Sequence, residues 1–482
     1  MWPLRVPSLP AREYRTRGMS DNVAAGAAAG DRKQVVVIGA GMAGLAAALE
    51  LADLGHDPIV LEARRRVGGR ILTLRDFAPG LYAEAGAMRI PRVHSLTLDY
   101  CHRFGLALRP FLIECQQAPL YLAGRRATLA EIARDPDLMP LKLAEHEREH
   151  TWQEMWSDAT RDIHACYEQG GASTLESLGR EFDRYSIRDF LTDRGFSEAA
   201  LELYGLMTSR ECNMRCSIVD HLREVVGRAF DDMQEVVGGM DRLPAGFYAE
   251  LGPRIRFSAR VHAVEQHAEG VSVQYRRPDG TSERVDAHYC VCTAPFGVHI
   301  DFRPGLSRGK YRAIRELNYN PSTKILLQVR TRFWERHGIV GGSTVTDLPI
   351  RRIVYPSHAP AEGDERGVLL ASYTWGQDAA RWGALSPDER IARAVRDVAK
   401  IHPEILTECE GGVSYAWYDD AYAVGAFALF EPGQETTLHP EIGRPEGRVY
   451  FAGEHCSLWH AWIQGALETG LGAARAIAAA PV

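Results

Sequence analysis

The sequence predicts an α/β protein, and three observations predict it. A continuous apolar run at residues 35–38 leads into glycines spaced G-x-G-x-x-G, then a helical pattern and a second short strand. Apolar and polar residues alternate through residues 254–280, and a strand-rich pattern with aromatics runs through residues 322–382. Residues 129–237 hold few glycines and carry charges at i, i+4 spacing, as helices do.

The totals bound the answer. A chain of 482 residues has room for two or three domains at about 100–200 residues each. Hydrophobic residues at 45% and charged residues at 25% describe an ordinary globular chain able to bury a large core. A net charge of -7 and a pI near 6.2 give no support to nucleic-acid binding. No apolar run reaches the roughly 18 residues that cross a membrane. Residues 1–33 are rich in Ala, Gly and Arg and hold no secretory h-region, so a disordered tail is expected, with Met19 as an alternative start. Nine scattered cysteines, an odd number, predict reduced thiols and a cytoplasmic setting. Cys212 and Cys216 have no matching pair, so no metal site is expected.

Each part of the first motif has a physical job. Residues 35–38 suit a parallel strand buried on both faces. Gly39 makes the tight turn, Gly41 lets backbone approach a pyrophosphate, and Gly44 lets helix pack on strand. The helix is expected over residues 45–54 with Gly55 as its stop; Ala40, Met42 and Ala43 supply backbone at its mouth. A second strand, residues 58–61, ends in Glu62 and Ala63. An acid about 20 residues beyond the glycines can accept hydrogen bonds from a ribose. Strand, glycines, helix, strand and acid in this order specify a dinucleotide site, without choosing between NAD and FAD.

The continuation "ARRRVGGRI" resembles the R-x-G-G-R segment of flavin amine oxidases. That resemblance implies Gly68 and Gly69 against FAD phosphates, with charge from Arg70, and Arg64 as the one of three arginines facing the cofactor. Residues 447–478, "GRVYFAGEHCSLWHAWIQGALETGLGAARAIA", are similar to the segment that holds the ribityl chain and flavin ring in the same superfamily. A strand at residues 448–452 should lead to Gly453 and Glu454, and a small-residue helix should start near Gln464. Glu454 is then expected to bind a ribityl hydroxyl, and Ile463 and Ala466 to lie at the flavin. Gly470 and Gly472 are expected to serve helix packing. A third segment, "YCVCTAPFGV", is a strand running into Thr-Ala-Pro, and the resemblance puts the backbone of Val261 against adenine.

Three segments of one site spread over nearly the whole chain imply a discontinuous Rossmann-type FAD-binding domain of residues 34–95, 238–310 and 445–482. Residues 96–128 and 311–444 would form a mixed-sheet substrate domain, and residues 129–237 a helical subdomain. His164 and His221 on its helices receive no role. Residues 417–434, "WYDDAYAVGAFALFEPGQ", are expected to close over the flavin. They hold no cysteine, so the FAD should be non-covalent.

The stretch "YAEAGAMRIP" places Arg89 among small and apolar residues, a setting that asks for an anion. A substrate carboxylate, a flavin phosphate and an internal acid such as Glu84 are all open on the residues alone. The segment is similar to the G-x-M-R-[LI]-P pattern of L-amino acid oxidases. That resemblance puts Gly86, Ala87, Met88 and Arg89 at the flavin and pairs Arg89 with the substrate α-carboxylate. It also implies that Tyr373 touches that carboxylate and that Lys324 holds a water near flavin N5. Trp462, Phe427 and Ala461 would line the substrate site. The implied reaction is FAD-dependent oxidative deamination of a large apolar or aromatic L-amino acid by hydride transfer, with O2 as acceptor, and the implied assembly is a homodimer. An L-amino acid 2-monooxygenase is the alternative; a polyamine or monoamine oxidase is a weaker one, because neither substrate carries an anion for Arg89.

Overall fold

A computed structural model describes residues 32–359 and 365–482. The tail expected at residues 1–33 lies outside the described residues apart from Arg32 and Lys33. Lys33 is buried, and its ammonium donates to Ile477 O at 2.8 Å and Ala478 O at 2.7 Å, closing the last carbonyls of the final helix.

Five parallel strands form the sheet that organises the molecule, in the order Val449–Phe451, Tyr289–Cys292, Gln34–Ile38, Asp57–Leu61 and Ile255–Arg256. Pairing is parallel throughout, so every strand ends on the same edge. The central strand is buried from Val35 to Ile38, which is why it reads as an unbroken apolar run. Cys290 and Cys292 are both buried in this sheet, and all nine cysteines are free.

The first helix, Met42–Asp53, begins three residues before the expected start and takes Gly44 into its first turn. The reason is contact: a Cβ on Gly44 would stand 2.0 Å from Gly39 O. The closing helix, Ile463–Ala479, packs on the first by the same device, since a Cβ on Gly470 would lie 2.3 Å from Ala43 O. Gly472 departs from the expectation: a Cβ there meets nothing within 4 Å, so it serves no packing. Thermal melts should therefore separate the pair. Gly470→Ala is expected to cost about 1–3 kcal/mol by overpacking. Gly472→Ala is expected to stabilise by about 0.5–1 kcal/mol through helix propensity.

A seven-stranded mixed sheet stands beside the parallel one, in the order Cys409–Ala416, Ser322–Val329, Gly367–Trp375, Arg352–Val354, Ser343–Thr346, Pro119–Leu122 and Arg125–Thr128. Its register sets Lys324 directly opposite Tyr373 on one side and Tyr415 on the other. A four-stranded sheet, which includes Arg260–His267, flanks the parallel sheet. Six helices between Trp152 and Val226 pack around their own apolar cluster. No helix among the described residues is long and apolar enough to cross a membrane.

Candidate active site

The loops that leave the parallel sheet at its carboxyl edge meet the mixed sheet and the helical region around one cavity of about 280 Å³. This is the edge at which ligands bind in open parallel sheets. The N-terminus of the first helix opens into it: Gly41 is the N-cap, no side chain caps the helix, and no acid lies in its first turn. Its free N–H groups and positive dipole end suit a phosphate. Gly41 and Gly69 face each other so closely that a Cβ on Gly69 would be 3.1 Å from Gly41 Cα.

Glu62 closes this end. Its carboxylate accepts from Ala40 N at 2.7 Å and Arg64 N at 2.8 Å, and still has lone pairs for a ribose. Ala40 and Gly44 do not line the cavity; one orients Glu62 and the other seats the helix. Gly39, Met42, Ala43, Ala63, Arg64, Arg70 and Val261 do line it. Val261 borders a register shift in its strand, the kind of bulge that re-aims backbone. These groups fit the dinucleotide half of a flavin cofactor.

Two cavity arginines already have their acids. Arg64 makes a bidentate pair with Asp420 at 2.7 and 2.5 Å and lies over the Tyr422 ring. Arg70 donates to Glu454 at 2.6 Å. The sequence argument that Glu454 needs a partner is thus met inside the protein, where Ala428 N and Ala461 N also donate to it. Burial pushes the Glu454 carboxyl up, but Arg70 and nearby histidines more than offset this and hold it below its ordinary value. Ala461 has φ of +66°, a strained conformation for a residue with a Cβ, and it lines the cavity beside Trp462, Ile463 and Ala466.

Arg89 is carried on a clamped loop. Lys324 Nζ donates to Glu84 O at 3.1 Å and Gly86 O at 2.7 Å, and Trp417 Nε1 donates to Ala85 O at 2.8 Å. Ile90 exchanges backbone bonds with Gln234 at 2.7 and 2.9 Å. A Cβ on Gly86 would meet Arg70 O at 2.0 Å, so the loop lies directly against the Arg70 backbone. Gly86, Ala87, Met88 and Arg89 all line the cavity. The guanidinium lies 5.8 Å from the Phe111 ring centroid, and no protein carboxylate or carbonyl among the described residues accepts from it. Burial lowers its pKa, and Tyr373 and Glu224 partly restore it. Glu84 is not its partner, because that carboxylate accepts from Thr73 Oγ1 at 2.9 Å and Met240 N at 2.8 Å.

Lys324 is 2% exposed, and its ammonium lies 4.6 Å from the Tyr373 ring centroid. Burial, helped by Arg89, lowers its pKa to about 7 despite Glu84 nearby. Tyr373 stacks edge-on to Trp375, and Trp375 to Phe427, with centroids 5.1 and 5.8 Å apart. Lys324, Tyr373, Phe427 and Trp462 all line the cavity.

The helical region contributes residues that sequence reasoning missed. Arg210, Asn213, Glu224 and Phe230 reach the cavity. Trp462 Nε1 donates to Glu224 Oε1 at 2.8 Å, and Arg210 pairs with the other carboxylate oxygen. His221, given no role, lies 3.8 Å from that same carboxylate. The signal was present in "SIVDHLREVV", where Asp220, His221 and Arg223 are buried although the i, i+3 charges of Asp220 and Arg223 resemble a solvated face.

Comparison with known proteins agrees with this geometry. Residues 42–478 match the family described as flavin containing amine oxidoreductase. The chain is 35% identical over 447 residues to an L-amino-acid oxidase of Siganus canaliculatus, covering 91% of this chain and 84% of that one. It is 34% identical over 455 residues to an L-amino-acid oxidase of Vipera ammodytes ammodytes, covering 92% of each. In fold it is similar to wild-type putrescine oxidase bound to putrescine, with a TM-score of 0.76 at 22% identity over 93% of this chain and 99% of that one. The protein is an enzyme that belongs to the flavin-containing amine oxidoreductase family.

Proposed function

We propose that the protein oxidises an L-amino acid, with a large apolar or aromatic side chain, to the 2-oxo acid, ammonia and hydrogen peroxide, using non-covalent FAD. One observation carries the donor class. Of the arginines that line the cavity, Arg64, Arg70 and Arg210 each face a carboxylate and Arg260 is exposed; Arg89 alone is half-buried with no acid among the described residues. A guanidinium in that state is matched by an α-carboxylate, which it binds in bidentate fashion. On this reading Tyr373, which lines the same cavity, shares that carboxylate.

Gly41, Glu62, Gly69 and the mouth of the first helix would hold the FAD, which would supply a hydride acceptor for the substrate Cα and a route for the electrons to O2. The imino acid left behind hydrolyses to the oxo acid and ammonia. The protein's own part is orientation. Arg89 and Tyr373 hold the carboxylate, Trp462 and Phe427 confine the side chain, and Lys324 holds a water near the reacting atoms. Non-covalent attachment is supported by the lining, which contains no cysteine or histidine. Cys456 is buried and lies outside it, with its Sγ toward Ile442 O. Acid precipitation should therefore leave all of the flavin in the supernatant, as FAD by chromatography; yellow colour in the pellet would contradict this.

The test of the donor class is anaerobic mixing of the purified protein with L-amino acids, D-amino acids and simple amines while flavin absorbance is followed. Bleaching by L-amino acids alone is expected. Bleaching by amines alone would remove the carboxylate role of Arg89. Re-aeration should then yield oxo acid and peroxide; an amide in their place would mean monooxygenation.

A further inference from the structure

The cavity has a polar wall that flavin and α-carboxylate do not use. Arg210 and Asn213 stand on one short turn, Arg210 8% and Asn213 3% exposed. Arg210 gives one nitrogen to Glu224 and has no other side-chain acceptor among the described residues. Asn213 Oδ1 accepts from Asn320 Nδ2 at 2.9 Å, while Asn213 Nδ2 is buried without a partner. An unpaired buried amide costs free energy until a ligand meets it. If the two amides turn over together they exchange donor and acceptor, so this wall suits a group that can do both.

Charge narrows the choice. Arg210 and Glu224 cancel. Two histidines near that carboxylate stay neutral: burial lowers His94 to about 3, and burial with Arg210 lowers His221 to about 4. With Arg89 taken by the α-carboxylate and Lys324 held on the carbonyls of Glu84 and Gly86, no unpaired charge among the described residues is left on this wall to balance a charged side chain. Around the polar wall the lining is aromatic: Phe230, Trp375, Phe427 and Trp462. A Cβ on Gly376, next to Trp375, would be 3.0 Å from Cys212 Cβ and 3.5 Å from Asn320 Oδ1, so the polar and aromatic groups are neighbours.

We propose that the side-chain subsite selects an uncharged aromatic ring bearing a hydroxyl, L-tyrosine among the common amino acids, with the hydroxyl bonded by Arg210, Glu224 and Asn213. This rests on the reading of the protein as an L-amino acid oxidase. A site built to hydrogen-bond a substrate hydroxyl discriminates against the analogue that lacks it, because its own buried groups are then left unpaired.

The experiment measures kcat/KM in air and the rate of anaerobic flavin bleaching for L-tyrosine, L-phenylalanine, L-tryptophan and L-glutamine. L-Tyrosine should exceed L-phenylalanine by about tenfold or more in kcat/KM, and Asn213→Leu should bring that ratio toward one. L-Phenylalanine equal to or faster than L-tyrosine overturns the proposal, as does L-glutamine or L-tryptophan ahead of both. In those outcomes L-amino acids still bleach the flavin, so the donor class stands and only the hydroxyl subsite falls. If amines bleach the flavin and no L-amino acid does, the donor class itself has failed and the subsite with it.

Discussion

Replacing Arg89 with methionine is expected to lower kcat/KM for an L-amino acid by about 10²–10³-fold, the range for removing one partner of a buried, hydrogen-bonded charge pair. Most of the change should fall on KM, because the carboxylate is held in the ground state as well as during hydride loss. Discrimination against the decarboxylated amine should shrink with it. Methionine fills similar space without a buried charge, so the melting temperature should hold or rise. A variant that instead loses its flavin or melts several degrees lower would make Arg89 a residue of the fold. The guanidinium has no acid among the described residues, and the loop is clamped at Ala85, Gly86 and Ile90 by groups that do not involve it.

Lys324→Met should have the next largest effect, with turnover falling by about 10²-fold, the lower end of the range for a positioned proton-handling group. In the wild type, kcat is expected to climb as pH passes through about 7, where Lys324 loses its proton, and this inflection should be missing from the variant. Stability gives a second readout. The folded protein releases the Lys324 proton near 7, whereas the unfolded chain keeps it to 10.5. Between those values the unfolded state binds more protons, so this group makes stability rise with pH. Glu84 acts in the opposite sense in the neighbouring window. Burial raises it from 4.5 to about 7, so the folded state keeps a proton that the unfolded chain has lost, and stability falls as pH rises to 7. The two groups together predict a shallow minimum in melting temperature near neutrality, and Lys324→Met should remove its alkaline side. A profile with no alkaline rise in the wild type would mean that Lys324 stays charged when buried.

The dinucleotide half of the site was legible because it depends on backbone. Gly39, Gly44 and Gly69 are forced by close approach, and close approach leaves glycine in the sequence. The helix boundary was misjudged for the same reason: the third glycine marks a contact on the helix and not its start. Arg89, Tyr373 and Lys324 could be named from motif, and their convergence depends on a strand register that no local pattern contains. The Arg210–Glu224 wall was missed because its members lie 14 positions apart, one at a short turn and one on a helix, and no local pattern pairs them. The partners of Arg64 and Arg70, Asp420 and Glu454, are each more than 350 positions away and carry no local signature.

The parallel sheet has a consequence for the order in which the molecule can be built. Its central strand is complete at Ile38, yet its neighbour Tyr289–Cys292 and the edge strand beyond that, Val449–Phe451, come far later, and the helix covering its face, Ile463–Ala479, lies further on still. During synthesis the apolar flank of the first helix, with Ala43 uncovered, waits for more than 400 residues to emerge at about 5–20 per second. Over that interval the nascent chain presents an incomplete nucleotide fold with an open sheet edge. The Lys33 ammonium on the carbonyls of Ile477 and Ala478 is then among the last contacts to form, and it fastens the two extremities of the fold to each other.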